Sequence, residues 1–106
     1  METDITREIY ERTIRNFIDI LILAELRKGY PISGYDFIEF IHQKFHIMMS
    51  SGTIYSVLYS LERDELIKGL QTSTKRVYKL TDKGEETINA LLKARELIQS
   101  FMATLF

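Results

Sequence analysis

The sequence predicts a single, mostly helical domain with a small β-hairpin before its last helix. Apolar residues recur at helical spacing along most of the 106 residues, and only one proline and five glycines interrupt them. One short segment, residues 66–80, instead has two extended stretches around a polar turn. With 45% hydrophobic residues, a chain of this length can bury a modest core. We expect one compact unit, with residues 1–80 preceding a long final helix over residues 81–106.

The composition argues against several classes of protein. The absence of cysteine removes disulfides, thiolate metal sites and cysteine nucleophiles together. The chain has no glycine-rich phosphate loop and no cluster of histidine and carboxylates typical of an active site. It also lacks an uninterrupted apolar run of about 18 residues and does not begin like a signal peptide. We therefore expect a cytoplasmic protein that is not an enzyme, has no cofactor and does not contact a membrane.

The N-terminal segment, residues 3–28, contains neither glycine nor proline and predicts one long helix or two abutting helices. Its second half carries few charges, with Asp19 and Glu25 the main ones, so that half should be deeply buried. Gly29 is a stop signal, and Pro31 keeps the chain extended before the next helix.

Ser33 is the expected N-cap of the next helix, and Asp36 favours its first turn. The apolar side of this helix consists of Phe37, Ile38, Ile41 and Phe45. His42 and His46 have a spacing that can bind a metal if a third ligand is present. Since no further ligand motif accompanies them, we interpret both histidines as part of a polar outer face and expect no metal site.

The segment from residue 50 to residue 63 predicts a helix with two chemically different faces. One stripe is apolar and should face the core; it comprises Ile54, Val57, Leu58 and Leu61. The opposite side is polar but nearly uncharged; it comprises Thr53, Ser56, Tyr59, Ser60 and, at the far end, Arg63. Capping by Ser50 or Ser51 would leave the positive end of the helix available to a phosphate. These features are typical of a helix that reads DNA.

The following hairpin has a basic arm. An extended segment begins at residue 66, residues 72–74 form a polar turn, and Lys75 and Arg76 open the returning strand. Alternation predicts that this strand is half buried. Although the net charge is −1, residues 63–83 hold six basic against three acidic residues. Local charge of this kind suits phosphate contact, although a solvated loop tip would look the same.

Thr81 should cap the final helix, whose apolar stripe continues to the C-terminus. The end of this stripe lies past the point where the domain has completed its own core; it comprises Ile98, Phe101, Met102 and Leu105. We expect these residues to pair with a second copy of the chain. The alternative is packing against the first helix of the same chain.

The order helix, helix, helix, hairpin, helix is that of a winged helix-turn-helix domain, and several segments resemble the PadR family of transcriptional regulators. The matching residues are Gly34–Ile38, Ser51–Tyr55 with Leu58, Leu61 and Glu62, then Leu66–Ile67, and Lys75–Gly84. The family usually has proline where this chain has Ser56, arginine at Ser60 and glycine at Glu65, and its wing turn usually contains glycine.

The resemblance implies a homodimer that binds a palindromic DNA operator, with repression as the expected outcome since the family mostly represses. The expected DNA contacts are Ser50, Ser51, Thr53, Tyr55, Ser56, Tyr59, Ser60, Arg63, Lys75 and Arg76. The alternative is a winged helix that contacts another protein. Some relatives bind aromatic effectors at the dimer interface, and Phe101 and Phe106 could line such a pocket here. We interpret both as packing residues.

Overall fold

The computed structural model describes residues 3–105, which form six helices and three short strands. In chain order they are α1 (Asp4–Asn16), α2 (Ile18–Leu26), β1 (Ile32–Ser33), α3 (Gly34–Phe45), α4 (Ser51–Arg63), β2 (Ile67–Gln71), β3 (Arg76–Leu80), α5 (Asp82–Lys93) and α6 (Arg95–Leu105). The predicted winged helix-turn-helix is confirmed, with α2, α3 and α4 as its three helices and β2 and β3 as its wing. Phe106 lies outside the described residues.

The N-terminal segment is two helices, because Phe17 leaves helical geometry with φ −118° and ψ 28°. As the charge pattern predicted, α2 lies in the core and α1 has no buried residue. The buried side chains of α2 are Ile18, Ile22, Leu23 and Leu26.

Helix α3 begins with a reciprocal capping box. The Asp36 N–H donates to Ser33 Oγ at 3.1 Å, and the Ser33 N–H donates to Asp36 Oδ2 at 3.2 Å. Burial alone would raise the pKa of Asp36, but the hydrogen bonds from Ser33, helped by Lys75, outweigh it and leave that pKa below its ordinary value. The cap therefore keeps its charged form at neutral pH and weakens only when acid protonates Asp36.

The expected apolar stripe of α4 is buried at Ile54, Leu58 and Leu61. These side chains join Ile22 of α2 and Phe37 of α3 in a single core. Helix α4 is therefore held on one side only, and its opposite side is exposed to solvent.

The sheet has the order β1-β3-β2, with all neighbours antiparallel. Strand β1 was not predicted, because two residues show no periodicity. It pairs Ile32 with Tyr78 and Ser33 with Val77. The prediction of a half-buried β3 is wrong at Val77: both Val77 and Tyr78 are buried, although they point to opposite faces of the sheet.

The wing turn is closed without glycine by the side chain of Thr72. The Thr72 backbone N–H donates to the Lys75 carbonyl at 2.8 Å, and the Thr72 hydroxyl donates to the same oxygen at 2.6 Å. The hydroxyl oxygen also accepts the Lys75 N–H at 3.1 Å. Within residues 3–105, no residue of this turn has a positive φ.

The segment predicted as one C-terminal helix is interrupted at Ala94, where φ is −87° and ψ is 7°. Thr81 is the N-cap of α5 as expected, since its Oγ1 accepts the Gly84 N–H at 3.0 Å. Beyond the interruption, α6 has no buried residue.

Helix α4 ends in a Schellman motif that places Glu65 in the left-handed region with φ 63°. The Leu66 N–H donates to the Leu61 carbonyl at 2.9 Å, and the Glu65 N–H donates to the Glu62 carbonyl at 3.0 Å. Left-handed geometry costs a residue with a Cβ about 1 to 2 kcal/mol. This geometry accounts for the glycine that is usual at this position in the family that the sequence resembles.

We predict that Glu65→Gly raises the free energy of unfolding by about 0.5 to 1 kcal/mol, because relief of backbone strain exceeds the greater freedom of glycine in the unfolded chain. Urea denaturation measures this change. The matched control, Glu65→Ala, keeps the strained φ and should bring no gain. Equal stability of the two variants would show that the left-handed backbone carries no cost here.

Candidate nucleic-acid interface

The outward face of α4 is polar and nearly uncharged, as predicted. Thr53 and Ser56 are exposed, and the Tyr59 side chain is 67% exposed. The Arg63 guanidinium lies over the Tyr59 ring, 5.9 Å from its centroid. This face combines hydroxyl groups, one aromatic ring and a single cation at its C-terminal end.

Ser50, not Ser51, caps α4. Its Oγ accepts the Thr53 N–H at 3.1 Å and lies 2.8 Å from the Thr53 hydroxyl. The N–H groups of Ser51 and Gly52 lie in the first turn of α4 and have no intrahelical acceptor. They therefore remain available to an anion approaching the positive end of the helix.

The space beside Gly52 is open. A Cβ built on Gly52 would meet only Ser50 Oγ, at 4.0 Å, and Gly52 does not have a positive φ. The fold therefore gives no steric reason for glycine in this turn, although glycine is a weaker helix former than alanine. A close approach by a partner from outside the chain would explain it.

Tyr55 lies at the contact between α3 and α4. A Cβ built on Gly34 would lie 2.6 Å from Cε1 of the Tyr55 ring, so glycine at the start of α3 makes room for that ring. Tyr55 therefore supports the crossing of the two helices, and its ring remains 46% exposed. The neighbouring Tyr35 is 64% exposed at the first turn of α3 and is a candidate contact that the sequence pattern did not single out.

Ser60 lies on the flank of the exposed face and is half-buried. Together with Ser56 it lines a cleft of about 370 Å³ between α4 and the junction of α1 with α2. Arg15, Asn16 and Asp19 line the other side of this cleft. The two serines, equivalent in the sequence pattern, therefore share a cleft but differ in exposure, since Ser56 is exposed and Ser60 is half-buried.

Both wing cations contact carboxylates of other elements. Lys75 Nζ lies 3.4 Å from Asp36 Oδ2 at the start of α3, and Arg76 Nη2 lies 2.6 Å from Glu62 Oε2 on α4. All four side chains are partly exposed. The sequence predicted the cations of the hairpin but not their partners, which lie 39 and 14 residues away along the chain.

Two further lysines lie on the outer face of the wing. Lys68 of β2 is directly opposite Lys79 of β3, and both are exposed. In the described part of the chain, neither has an ion pair. Like charges at opposed positions destabilise a hairpin unless an anion approaches them. The pairing of Lys68 with Lys79 follows from the strand register and was not predicted from the sequence.

The residues expected at a dimer interface all lie on α6 and are exposed by 43 to 60%; they are Ile98, Phe101, Met102 and Leu105. Helix α1 likewise exposes Ile5 and Ile9. The alternative of packing between α1 and α6 within one chain is not seen, since neither helix has a buried residue.

No group of three His, Asp or Glu side chains within residues 3–105 is arranged to hold a metal. His42 and His46 are exposed near the end of α3. None of the helices in the same range is long and apolar enough to cross a bilayer.

Residues 22–90 match the model of a family described as the transcriptional regulator PadR-like family. The chain belongs to this family. PadR-like proteins are transcriptional regulators rather than enzymes. No protein of curated function matches this PadR-like chain.

Solved structures of the family share its fold. A PadR family regulator from Clostridium difficile is 27% identical with a TM-score of 0.70, and the match covers 84% of this chain and 97% of that chain. A transcriptional regulator from Clostridium thermocellum is 26% identical with a TM-score of 0.73, covering 88% and 93%. Bacillus subtilis PadR in complex with operator DNA is 28% identical with a TM-score of 0.61, covering 71% of this chain and 46% of that chain.

Proposed function

We propose that this PadR-like protein is a homodimeric repressor that binds a palindromic operator through α4 and the wing. The observation that carries the proposal is the exposed, nearly uncharged face of α4, with unpaired N–H groups at its N-terminal end. A face of this kind can enter a groove and donate or accept hydrogen bonds without a large charge. The operator complex of Bacillus subtilis PadR supports the same use of the fold.

The contacts divide into two kinds. Ser50 and Ser51, with the free N–H groups beside them, are placed to meet a phosphate. The side chains that can reach base edges are those of the outward face, namely Thr53, Ser56, Tyr59 and Arg63. Tyr55 and Ser60 lie at its flanks and contribute less direct contact. Of the two cations at the wing tip, Lys75 is better able than Arg76 to reach a phosphate, because its contact with Asp36 is long and both groups are partly exposed.

The proposed dimer uses the exposed apolar side chains of α6, packed against α6 or α1 of the second copy. Burial of a side chain the size of leucine or phenylalanine contributes about 1.5 to 3 kcal/mol. Several such residues from each copy can offset an association cost of at least about 4 kcal/mol. Two copies would then read half-sites about 34 to 36 Å apart, or a multiple of that. A dimer on a promoter would block access of the polymerase.

An experiment can distinguish DNA binding from the alternative, a winged helix that contacts another protein. Selection of duplexes from a random pool by the purified chain should enrich a palindrome. Binding should weaken steeply with salt, because phosphate contacts release counterions. Recovery of no preferred duplex would favour the protein-contact alternative.

For Gly52→Ala we predict opposite effects on folding and on DNA binding. The free energy of unfolding should stay equal or rise by up to about 1 kcal/mol, because alanine is the better helix former and the space is open. Affinity for the selected duplex should fall by about tenfold or more, as the methyl group blocks close approach of the backbone. Urea denaturation and fluorescence anisotropy measure the two quantities. Unchanged binding would place the first turn of α4 away from DNA.

Lys75→Ala should flatten the plot of log affinity against log salt by about 1.8, because each copy in the dimer loses one phosphate contact worth about 0.9. The affinity should fall by a similar factor for every duplex, since a phosphate contact carries no sequence information. Lys93→Ala, on α5 outside the proposed surface, is the matched control and should leave the slope unchanged. An unaltered slope for Lys75→Ala would remove the wing tip from the interface.

The dimer is tested by sedimentation of the wild type at tens of micromolar beside a Phe101→Asp, Leu105→Asp variant. The variant should be a folded monomer that no longer holds the palindromic duplex, because two carboxylates on each α6 would be buried in the seam. Ser100→Asp, Ala103→Asp adds the same charge on the other side of α6 and should remain dimeric. A monomeric wild type, or a dimeric Phe101→Asp, Leu105→Asp variant, would refute this interface.

A further inference from the structure

The wing and α4 are joined at one carboxylate, that of Glu62. Its Oε2 accepts a hydrogen bond from Arg76 Nη2 at 2.6 Å and another from the Gly69 N–H at 3.3 Å. Gly69 belongs to β2 and Arg76 to β3, so this one side chain of α4 holds both strands of the wing. Such charge-assisted hydrogen bonds are shorter and stronger than neutral ones.

The glycine in β2 makes room for the arginine of β3. A Cβ built on Gly69 would lie 2.6 Å from Arg76 Nε and closer still to Cζ and Nη2 of the guanidinium. The guanidinium is also 5.8 Å from the centroid of the Tyr78 ring. Arg76 is therefore held between the β2 backbone, its own strand and the carboxylate of Glu62.

The hydrogen bond to Glu62, together with the charge of that carboxylate, raises the pKa of Arg76 above its ordinary value. Arg76 therefore stays charged at physiological pH, and its guanidinium is held at the Glu62 carboxylate. To meet a phosphate, Arg76 would have to leave a short charge-assisted bond. Lys75 has no comparable restraint, since its nitrogen lies 3.4 Å from Asp36, a carboxylate already occupied by the Ser33 N–H.

We propose that Glu62 is a positioning residue for DNA selection: it fixes the wing against α4 and withholds Arg76 from phosphates. Discrimination between duplexes then comes from the face of α4, and one source of sequence-independent attraction is neutralised. This inference rests on the proposed DNA-binding function. It changes the role expected for Arg76 from a DNA contact to a structural link.

The test uses Glu62→Gln in the full chain, because glutamine keeps the size of the side chain and an acceptor for the Gly69 N–H while removing the charge. Binding is measured over a range of salt, with the duplex selected by the wild type and with a shuffled duplex of the same composition. Arg76 freed from its carboxylate should steepen the salt slope of the dimer by about 1.8, because each copy gains one phosphate contact worth about 0.9. Affinity for the shuffled duplex should rise several-fold, and the ratio of selected to shuffled affinity should fall.

Two further variants, Arg76→Ala and Arg76→Ala combined with Glu62→Gln, distinguish two possible causes of a steeper salt slope. One cause is release of the arginine, and the other is loss of a carboxylate that repels DNA. Arg76→Ala should keep the wild-type slope, and adding Glu62→Gln to it should leave the slope unchanged. Circular dichroism should show the same helix content in all variants, so that altered binding is not attributed to unfolding.

The proposal is overturned if Glu62→Gln leaves both slope and selectivity unchanged. It is equally overturned if Arg76→Ala alone flattens the slope of the dimer by about 1.8, because Arg76 of each copy would then already contact a phosphate. A wild type that binds no duplex overturns the proposed function as well. That failure is recognised separately, since it appears before any substitution is made.

Discussion

Burial of one stripe of α4 is the constraint on which the rest of the structure depends. Ile54, Leu58 and Leu61 are buried against α2 and α3 in the common core. Because a helix turns every 3.6 residues, burial of this stripe necessarily turns Ser56 and Tyr59 toward solvent. The Schellman motif at the end of the same helix then sets the direction in which the wing begins. One packed face therefore positions both the exposed face and the hairpin beside it.

The proposed DNA-binding surface carries little uncompensated positive charge at the tip of the wing. The net charge is −1, and both cations of the wing tip lie against carboxylates of α3 and α4. The overall field of the protein thus offers little attraction to DNA, and binding in the proposed function depends on local groups, such as the N-terminal end of α4. A single copy with so few free phosphate contacts would bind weakly, which is the physical case for two copies on one operator.

The two terminal helices differ from the rest of the chain because they are amphipathic but have no fully buried residue. Helix α1 is separated from α2 at Phe17, and α6 is separated from α5 at Ala94. The apolar residues of α6 therefore lie outside the core that α2 to α5 complete, whereas Tyr10 and Ile14 of α1 pack against it partly buried. Both interruptions occur in segments of continuous helical periodicity without glycine or proline, so the pattern alone could not place them.

Local signals in the sequence determined much of the fold. The hydrophobic spacing of α4, the N-caps Ser33 and Thr81, and the polar turn of the wing were readable because each depends on residues only a few positions apart. Tertiary structure alone decided the rest. It added strand β1, buried Val77, left Ser60 less exposed than Ser56, and gave Arg76 its partner. These outcomes depend on groups that are distant along the chain and meet only after the helices pack, and no periodicity or cap encodes which carboxylate will lie beside which cation.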